Sequence, residues 1–430
     1  MKMVLIIPPS PWLLSDRVFP FYGILYVSAY LKRHSDCEIA VCDLSGLEEK
    51  DWYIPLGDMY GVTGATPNFV YMKAIIAKLK AREPDKPVIV GGVHATVYPA
   101  SILERTLADA CVIGEGERTA LQIVNGVSWK NIPGIVTREF NTGPPDLIAD
   151  IDTLPLPDLK AIDYYSYLES SVPDYHNYLS PGTKREGSVI LSRGCYFNCA
   201  FCCSRKLHNG RVRTRSPEVV VEELSYLKHE FGVEVVNVFD DTFAMSKKRA
   251  HRICELLVEK KVGMKWYCLL RADEVDLDLL LAMKGAGCLS ISVGFETGSN
   301  RILKLMNKKT NIAASRSCIE TAYKAGLMIY GFLIVGFPTE TEHDVELTAD
   351  FIRDNPEVDT WGLHTFQPYP GCDVWERPEK YGIEVDKNTD FSDYITIGNH
   401  KGLYSTDPVI DRQFRYLKEV MGNKSRELRK

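Results

Sequence analysis

The sequence predicts an α/β protein: an N-terminal doubly wound, Rossmann-like parallel sheet, then a partial (β/α)6 barrel and a short C-terminal extension. Three observations predict it. Short β-rich runs alternate with helical runs in both halves, a proline-rich stretch separates the halves, and glycine-rich or acidic segments follow the strand candidates. At 430 residues the chain has room for two or three domains of about 150 residues each.

The first strand candidate, Met3–Ile7, is apolar and is stopped by Pro8 and Pro9. The strand candidates Glu38–Cys42, Met59–Thr63, Val88–Val90 and Ala110–Ile113 follow. Helical periodicity runs over Gly23–Arg33, Asn68–Arg82, Ser101–Leu107 and Arg118–Val124. Ligands of such sheets bind beyond the carboxyl ends of the strands. Here those ends carry Thr63-Gly64-Ala65-Thr66-Pro67, Gly91-Gly92-Val93-His94 and Gly114-Glu115-Gly116-Glu117. Residues 1–130 form this first domain.

Residues 131–184 contain Pro133, Pro144, Pro145, Pro155 and Pro157 and read as an irregular hairpin and linker. The aromatic stretch Tyr164–Tyr178 suits either a surface cap or one wall of a substrate pocket. In residues 185–370 the alternation resumes, with strands expected at Val189–Ser192, Val235–Phe239, Trp266–Leu270, Leu289–Phe295, Met328–Val335 and Thr360–Phe366. The helices expected between them are Pro217–Phe231, Lys247–Lys261, Leu277–Gly285, Ala313–Ala325 and Glu340–Asn355. Six strands with helical crossovers suggest an incomplete barrel with its chemistry at the strand C-terminal ends. Residues 371–430 make the extension, closed by a charged helix over Asp411–Arg429.

Composition excludes disorder and fibrous classes: 45% of residues are hydrophobic and 25% charged. A net charge of −6 offers no general attraction to nucleic acid or an anionic membrane. No apolar run approaches the ~18–20 residues of a membrane span, and the apolar start is too short for an export signal, so a cytoplasmic location is expected. Twelve cysteines in such a chain should be reduced thiols or metal ligands.

Four of them crowd into Cys195-Tyr196-Phe197-Asn198-Cys199-Ala200-Phe201-Cys202-Cys203. Cys195, Cys199 and Cys202 have the spacing C-x3-C-x2-C. A loop so wound can point three thiolates at three corners of an iron–sulfur cubane and leave the fourth iron open. Structural zinc wants four ligands, usually as two separated pairs, and no second pair with ligand spacing follows. Cys203 falls outside the pattern and reads as a packing residue.

With these residues the chain resembles the radical S-adenosylmethionine (SAM) superfamily, in the branch that carries an N-terminal cobalamin-binding-type domain. The resemblance extends over roughly residues 1 to 370, through Val238-Phe239-Asp240-Asp241-Thr242-Phe243, Leu270-Arg271-Ala272-Asp273, Ser292-Val293-Gly294-Phe295-Glu296-Thr297-Gly298 and Gly331-Phe332-Leu333-Ile334-Val335-Gly336-Phe337-Pro338. It implies that Cys195, Cys199 and Cys202 ligate a [4Fe-4S] cluster. It also implies SAM contacts from Phe201, Asp240, Asp241, Arg271, Glu296 and Gly336, and reductive cleavage of SAM to methionine and a 5′-deoxyadenosyl radical. An external one-electron reductant such as flavodoxin or ferredoxin follows from that chemistry.

For the front domain the resemblance implies cobalamin, near Thr63, Thr66, Gly91, Gly92, His94, Gly114 and Glu115. The D-x-H-x-x-G motif that supplies a histidine to cobalt in other cobalamin enzymes is absent, and the connection from Asp43 to Asp58 is short. The alternative is a domain that only packs on the barrel, with these positions serving as turn residues and His94 as a satisfied polar group. The loop Arg205–Arg215 is locally basic and reads as a solvated or SAM-adjacent segment rather than a nucleic-acid contact. Cys372, after Pro370-Gly371, is a candidate hydrogen-atom donor, auxiliary ligand or incidental residue.

The implied function is a cobalamin-dependent methyltransferase acting on an unactivated centre of a small molecule. The rivals are a radical SAM cyclase, rearrangement or oxidation enzyme, and a non-enzymatic iron–sulfur or cobalamin sensor.

Overall fold

The computed structural model describes residues 1–10, 13, 15–170, 184–392, 394 and 407–427, with only the backbone described over 423–427. Two sheets organise them. The first takes the order β2-β1-β3-β4-β5-β6, from β1 (Lys2–Ile7), β2 (Glu38–Asp43), β3 (Met59–Thr63), β4 (Val88–Gly91), β5 (Ala110–Val112) and β6 (Ile135–Val136). Its strands are parallel except β6, which pairs antiparallel with β5. The expected hairpin in the linker therefore becomes an edge of the first sheet.

β1 lies one strand in from the edge, between β2 and β3, and is apolar because both of its faces are covered. Met3, Leu5 and Ile7 enter one core, while Val4 and Ile6 enter the other. The helix Tyr22–His34 supplies Tyr22, Leu25 and Leu31 to the first core, and the helix Phe69–Arg82 supplies Phe69, Met72 and Ile76 to the second.

The second sheet contains β7 (Glu186–Val189), β10 (Val235–Val238), β11 (Lys265–Leu270), β12 (Cys288–Glu296), β13 (Met328–Val335) and β14 (Thr360–Thr365). It is wholly parallel, in the order β14-β13-β12-β11-β10-β7. Between β7 and β10 a two-stranded antiparallel ladder, β8 (Ser192–Arg193) with β9 (Arg213–Thr214), closes the base of the cysteine loop. The sequence places the first barrel strand at Val189–Ser192, and the chain in fact leaves the sheet at Val189. The carboxylate of Asp240 accepts from the amides of Leu191 and Ser192, at 2.7 and 2.9 Å, and so takes them out of the sheet.

Local signals fix the helices of this half. Ser216 caps Pro217–Phe231, with proline in the first turn and Gly232 at φ +65° ending it. Asp276 caps Leu277–Gly285 and Asn311 caps Ile312–Lys324. The helix Pro408–Glu427 lies against Glu342–Arg353, and Ile410 covers Gly336.

The two halves share their interior. One core joins Leu5, Tyr22 and Leu25 to Val189, Leu191 and Leu224; the other joins Ile6 and Phe69 to Ala200, Phe337 and Trp375. Of the aromatic stretch Tyr164–Tyr178, the helix Tyr164–Glu169 packs between the halves: the Tyr167 hydroxyl donates to Asp43 of the first at 2.8 Å, and the Tyr164 ring meets Phe231 of the second edge-on at 4.9 Å. Residues 171–178 lie outside the described residues. None of the described helices is long and apolar enough to cross a membrane.

Across the shared interior the buried Tyr22 hydroxyl donates to the Ser188 carbonyl. Tyr22→Phe leaves that carbonyl without its donor. We expect a loss of about 1–3 kcal/mol in urea unfolding, in one transition reported by both halves.

Candidate functional site

A cavity of about 650 Å³ lies between the carboxyl ends of the first sheet and the cysteine loop. Its floor is built from the first half: Leu5, Gly61, Thr63, Ile89, Gly91, Gly92, Val112 and Gly114 at the strands and their ends, with Gly23, Tyr26, Glu115, Gly116 and Glu117 beside them. Its roof comes from the second half, with Arg193, Gly194, Cys202, Cys203, Ser204, His208, Phe239 and Asp241.

Six glycines of the first half line the floor, and at Gly23 and Gly91 a Cβ would meet nothing within 4 Å, so there the floor presents backbone where side chains would stand. Such a wall admits a flat ring. At Gly92 glycine is required: φ is +91° and a Cβ would come within 2.7 Å of Thr63 Oγ1.

Of the positions assigned to this domain's ligand, Thr63, Gly91, Gly92, Gly114 and Glu115 line the cavity, and Thr66 and His94 do not. His94 is fully buried on the far side of its helix, bonded to Thr66 Oγ1 at 3.1 Å and Ser101 Oγ at 2.8 Å. The rings of Phe69 and Phe391 stand about it, at 5.2 and 5.1 Å. Burial, helped by the charge of Arg105, lowers its pKa to about 3. His94 is therefore a neutral core residue with both ring nitrogens engaged, as the packing alternative expects of it.

The cysteine loop is held from several sides. Gly194, at φ +97°, passes so close to Arg211 that a Cβ would lie 2.1 Å from its carbonyl oxygen. The Ala200 amide donates to the Met306 carbonyl at 2.7 Å and the Asn307 amide group to the Asn198 carbonyl at 2.6 Å. Cys199 is buried, Cys195 half-buried and Cys202 exposed on the cavity wall. Burial raises the Cys195 and Cys199 thiols, although Lys308 and Arg271 oppose it at Cys199. Iron bound there would take up the charge that burial disfavours.

Among the described residues no three His, Cys, Asp or Glu side chains are arranged to hold a single metal ion. A cubane asks for something else, one thiolate for each of three irons, and this loop offers Cys195, Cys199 and Cys202 for them, with the thiol of Cys203 beside. The donor set fits a [4Fe-4S] cluster, and the glycine floor facing it fits a corrin.

The residues expected at SAM divide into two kinds. Asp241 lines the cavity and accepts from Ser204 Oγ at 2.6 Å. Asp240, its neighbour, is buried beneath the loop on the Leu191 and Ser192 amides, and Arg249 donates to the Leu191 carbonyl at 3.0 Å. Glu296, at φ +65°, pairs with Lys308 at 2.5 Å, and Lys308 stands 5.7 Å from the Phe201 ring. Arg271 is held by Asp273 and the Lys308 carbonyl and stacks 3.5 Å from the Phe197 ring. Gly336 donates to Glu340 at 2.6 Å beneath Ile410. Burial raises Glu340 to about 7. Cys372 is fully buried, caps the turn Asp373–Glu376, and accepts from the Trp375 amide at 3.4 Å.

Sequence reasoning did not anticipate the ionic clamp between the halves. Glu115 binds Arg193 at 3.0 Å and Arg213 at 2.7 Å and accepts from the Ile148 amide, while Glu117 binds Arg193 at 2.6 Å. Burial acts to raise the Glu115 carboxyl, and the two arginines with the Ile148 amide outweigh it, holding it below the usual range. The available signal was Arg193 and Arg213 flanking the cysteine loop, opposite two glutamates that follow a strand end.

Two predictions follow from the split between buried and cavity-facing groups. Asp240→Ala strands two buried amides and should lower stability by about 2–4 kcal/mol, with loss of bound iron on desalting. Asp241→Ala should stay within about 0.5 kcal/mol of the parent. The second prediction concerns acid. Because His94 is depressed from 6.5 to about 3, the unfolded chain binds a proton that the folded chain refuses. Its stabilising contribution is full above pH 6.5 and falls with pH by up to about 1.4 kcal/mol per unit. His94→Gln should flatten the fall of the urea midpoint between pH 6.5 and 5.

Comparison with known proteins agrees with this geometry. The radical SAM superfamily model matches residues 189–352, and the B12 binding domain model matches residues 18–124. An uncharacterised methyltransferase of Pyrococcus horikoshii is 32% identical over 397 residues, which are 87% of this chain and 83% of that protein. The anaerobic magnesium-protoporphyrin IX monomethyl ester cyclase of Rubrivivax gelatinosus is 27% identical over 384 residues, 84% of this chain and 66% of that one. Among solved structures, the radical SAM methyltransferase TsrM of Kitasatospora setae, with cobalamin and a [4Fe-4S] cluster bound, superposes at a TM-score of 0.69. It has 17% identity, with 90% of this chain and 76% of that one covered. The chain belongs to the radical SAM superfamily, in the branch whose members carry an N-terminal B12-binding domain.

Proposed function

We propose that this enzyme is a cobalamin-dependent radical SAM methyltransferase acting on an unactivated carbon or phosphorus centre of a small molecule. The observation that carries the reading is the single cavity with two walls, in which Gly91, Gly92 and Gly114 face Cys202 and Asp241. A methyl carrier on the glycine floor and a radical source at the roof then serve one space. When bound, the cluster and SAM supply the 5′-deoxyadenosyl radical and cobalamin carries the methyl group.

The protein's part is to hold and orient. Cys195, Cys199 and Cys202 would hold the cluster, at which SAM would bind. Asp241, steadied by Ser204, offers its remaining acceptor capacity to the SAM amine. Glu296, Arg271 and Phe201 surround Lys308 and fix the wall beside Cys199. Electrons come from an external one-electron donor of the flavodoxin or ferredoxin type. Similarity to a cyclase favours a second reading, in which the same radical step leads to ring closure without methyl transfer.

The test is anaerobic turnover of protein loaded with cluster and cobalamin. S-adenosylhomocysteine, 5′-deoxyadenosine and methylated product should form together. 5′-Deoxyadenosine with an unmethylated, ring-closed product would move the cyclase reading to first place. In Cys199→Ala iron retention and 5′-deoxyadenosine should both be lost, with the far-ultraviolet circular dichroism unchanged.

A further inference from the structure

His208 stands on the cavity roof, after the short helix Ser204–Leu207 and ahead of the β9 strand. Its Nδ1 lies 3.2 Å from an amino nitrogen of Arg213. A guanidinium only donates, so Nδ1 must accept, and that partner assigns the tautomer. Burial lowers the His208 pKa, with Arg213 and Arg193 adding to the effect and Asp241 and Glu115 opposing it. The ring is neutral at pH 7 and its one proton sits on Nε2.

No protein group among the described residues bonds Nε2, and the ring borders the cavity. Arg213 cannot turn away to release Nδ1. Its other amino nitrogen is bound to both Glu115 oxygens, at 2.7 and 2.8 Å, and to the Ile148 carbonyl at 2.9 Å. The clamp that joins the halves thus aims one N–H donor into the space between them.

A neutral imidazole with its proton on Nε2 has no lone pair there to give a metal. It can serve only a hydrogen-bond acceptor. The floor opposite is made of glycines such as Gly91 and Gly114, and a corrin lying on it carries a rim of amide side chains whose carbonyl oxygens are acceptors. We propose that His208 is a positioning residue that donates from Nε2 to a peripheral amide carbonyl of the corrin and so fixes the ring's rotation in the cavity. The inference rests on the cobalamin reading above.

The experiment uses the full chain with its cluster reconstituted, titrated anaerobically with hydroxocobalamin and followed by the corrin absorbance. His208→Phe keeps a ring and removes the donor; His208→Gln restores an N–H donor. Iron content and circular dichroism are recorded for each. We expect about tenfold weaker binding for His208→Phe, the worth of one hydrogen bond, and recovery to within about threefold in His208→Gln.

Equal affinity in the parent and His208→Phe would overturn the proposal. So would equal weakening in both variants with iron content intact, which would make the ring's shape the cause. A parent protein that retains its cluster and binds no corrin would overturn the cobalamin reading and this proposal with it. Electron paramagnetic resonance of the reduced corrin supplies a further check. Nitrogen coupling present in the parent and absent in His208→Phe would make His208 a cobalt ligand and overturn the donor assignment.

Discussion

The carboxylate of Glu115 is the point on which the arrangement turns. It stands where β5 gives way to the helix Gly116–Val124, a place where a negative charge is favoured by the helix dipole. From there it holds Arg193, at the entry to the cysteine loop, and Arg213, at its exit. Both ends of that loop are therefore referred to one atom group of the other domain. A buried ion pair contributes little net stability after its desolvation. What this one supplies is position: it adds to the shared cores a direct tie between the β8–β9 ladder and the end of β5.

The same economy appears in the acids of the second sheet. Asp240 and Asp241 are adjacent, and near a strand end adjacent side chains face opposite ways. One goes inward to hold the Leu191 and Ser192 amides, and the other faces the cavity with Ser204. Glu296 and Arg271 are likewise engaged with Lys308 and Asp273. These pairs make the wall beside Cys199 rigid, the condition for orienting a small charged ligand without reorganisation.

Much of this was legible in the sequence, for identifiable reasons. The helices Pro217–Phe231 and Leu277–Gly285 were readable to the residue because Ser216, Gly232 and Asp276 mark their ends. β13 was readable because Met328–Val335 is an uninterrupted apolar strand. The cysteine loop announced itself by spacing. Illegible were features set by distant partners. Val189–Ser192 has strand composition, yet Asp240, far along the chain, draws its last residues out of the sheet. His94 sits in a glycine-rich loop, and the packing of Phe69 and, from the C-terminal extension, Phe391 shows that it faces a core. Glu117 reads only as part of a ligand-facing strand end and Arg213 only as part of a basic loop, and nothing in the sequence ties either to Arg193 or Glu115 until the two domains are brought together.

The construction of the cavity has a consequence for the life of the chain. Its floor belongs to strands that emerge early from the ribosome, and its roof belongs to a loop that emerges later. Until Arg193 and Cys202 have been made, the strand ends that carry Gly91, Gly92 and Gly114 have no roof over them. In the folded chain the cavity is lined from both sides, by Glu117 of the early half and Asp241 of the late one. A ligand that touches both walls therefore finds its whole site only once the late half has been made and has folded onto the early one.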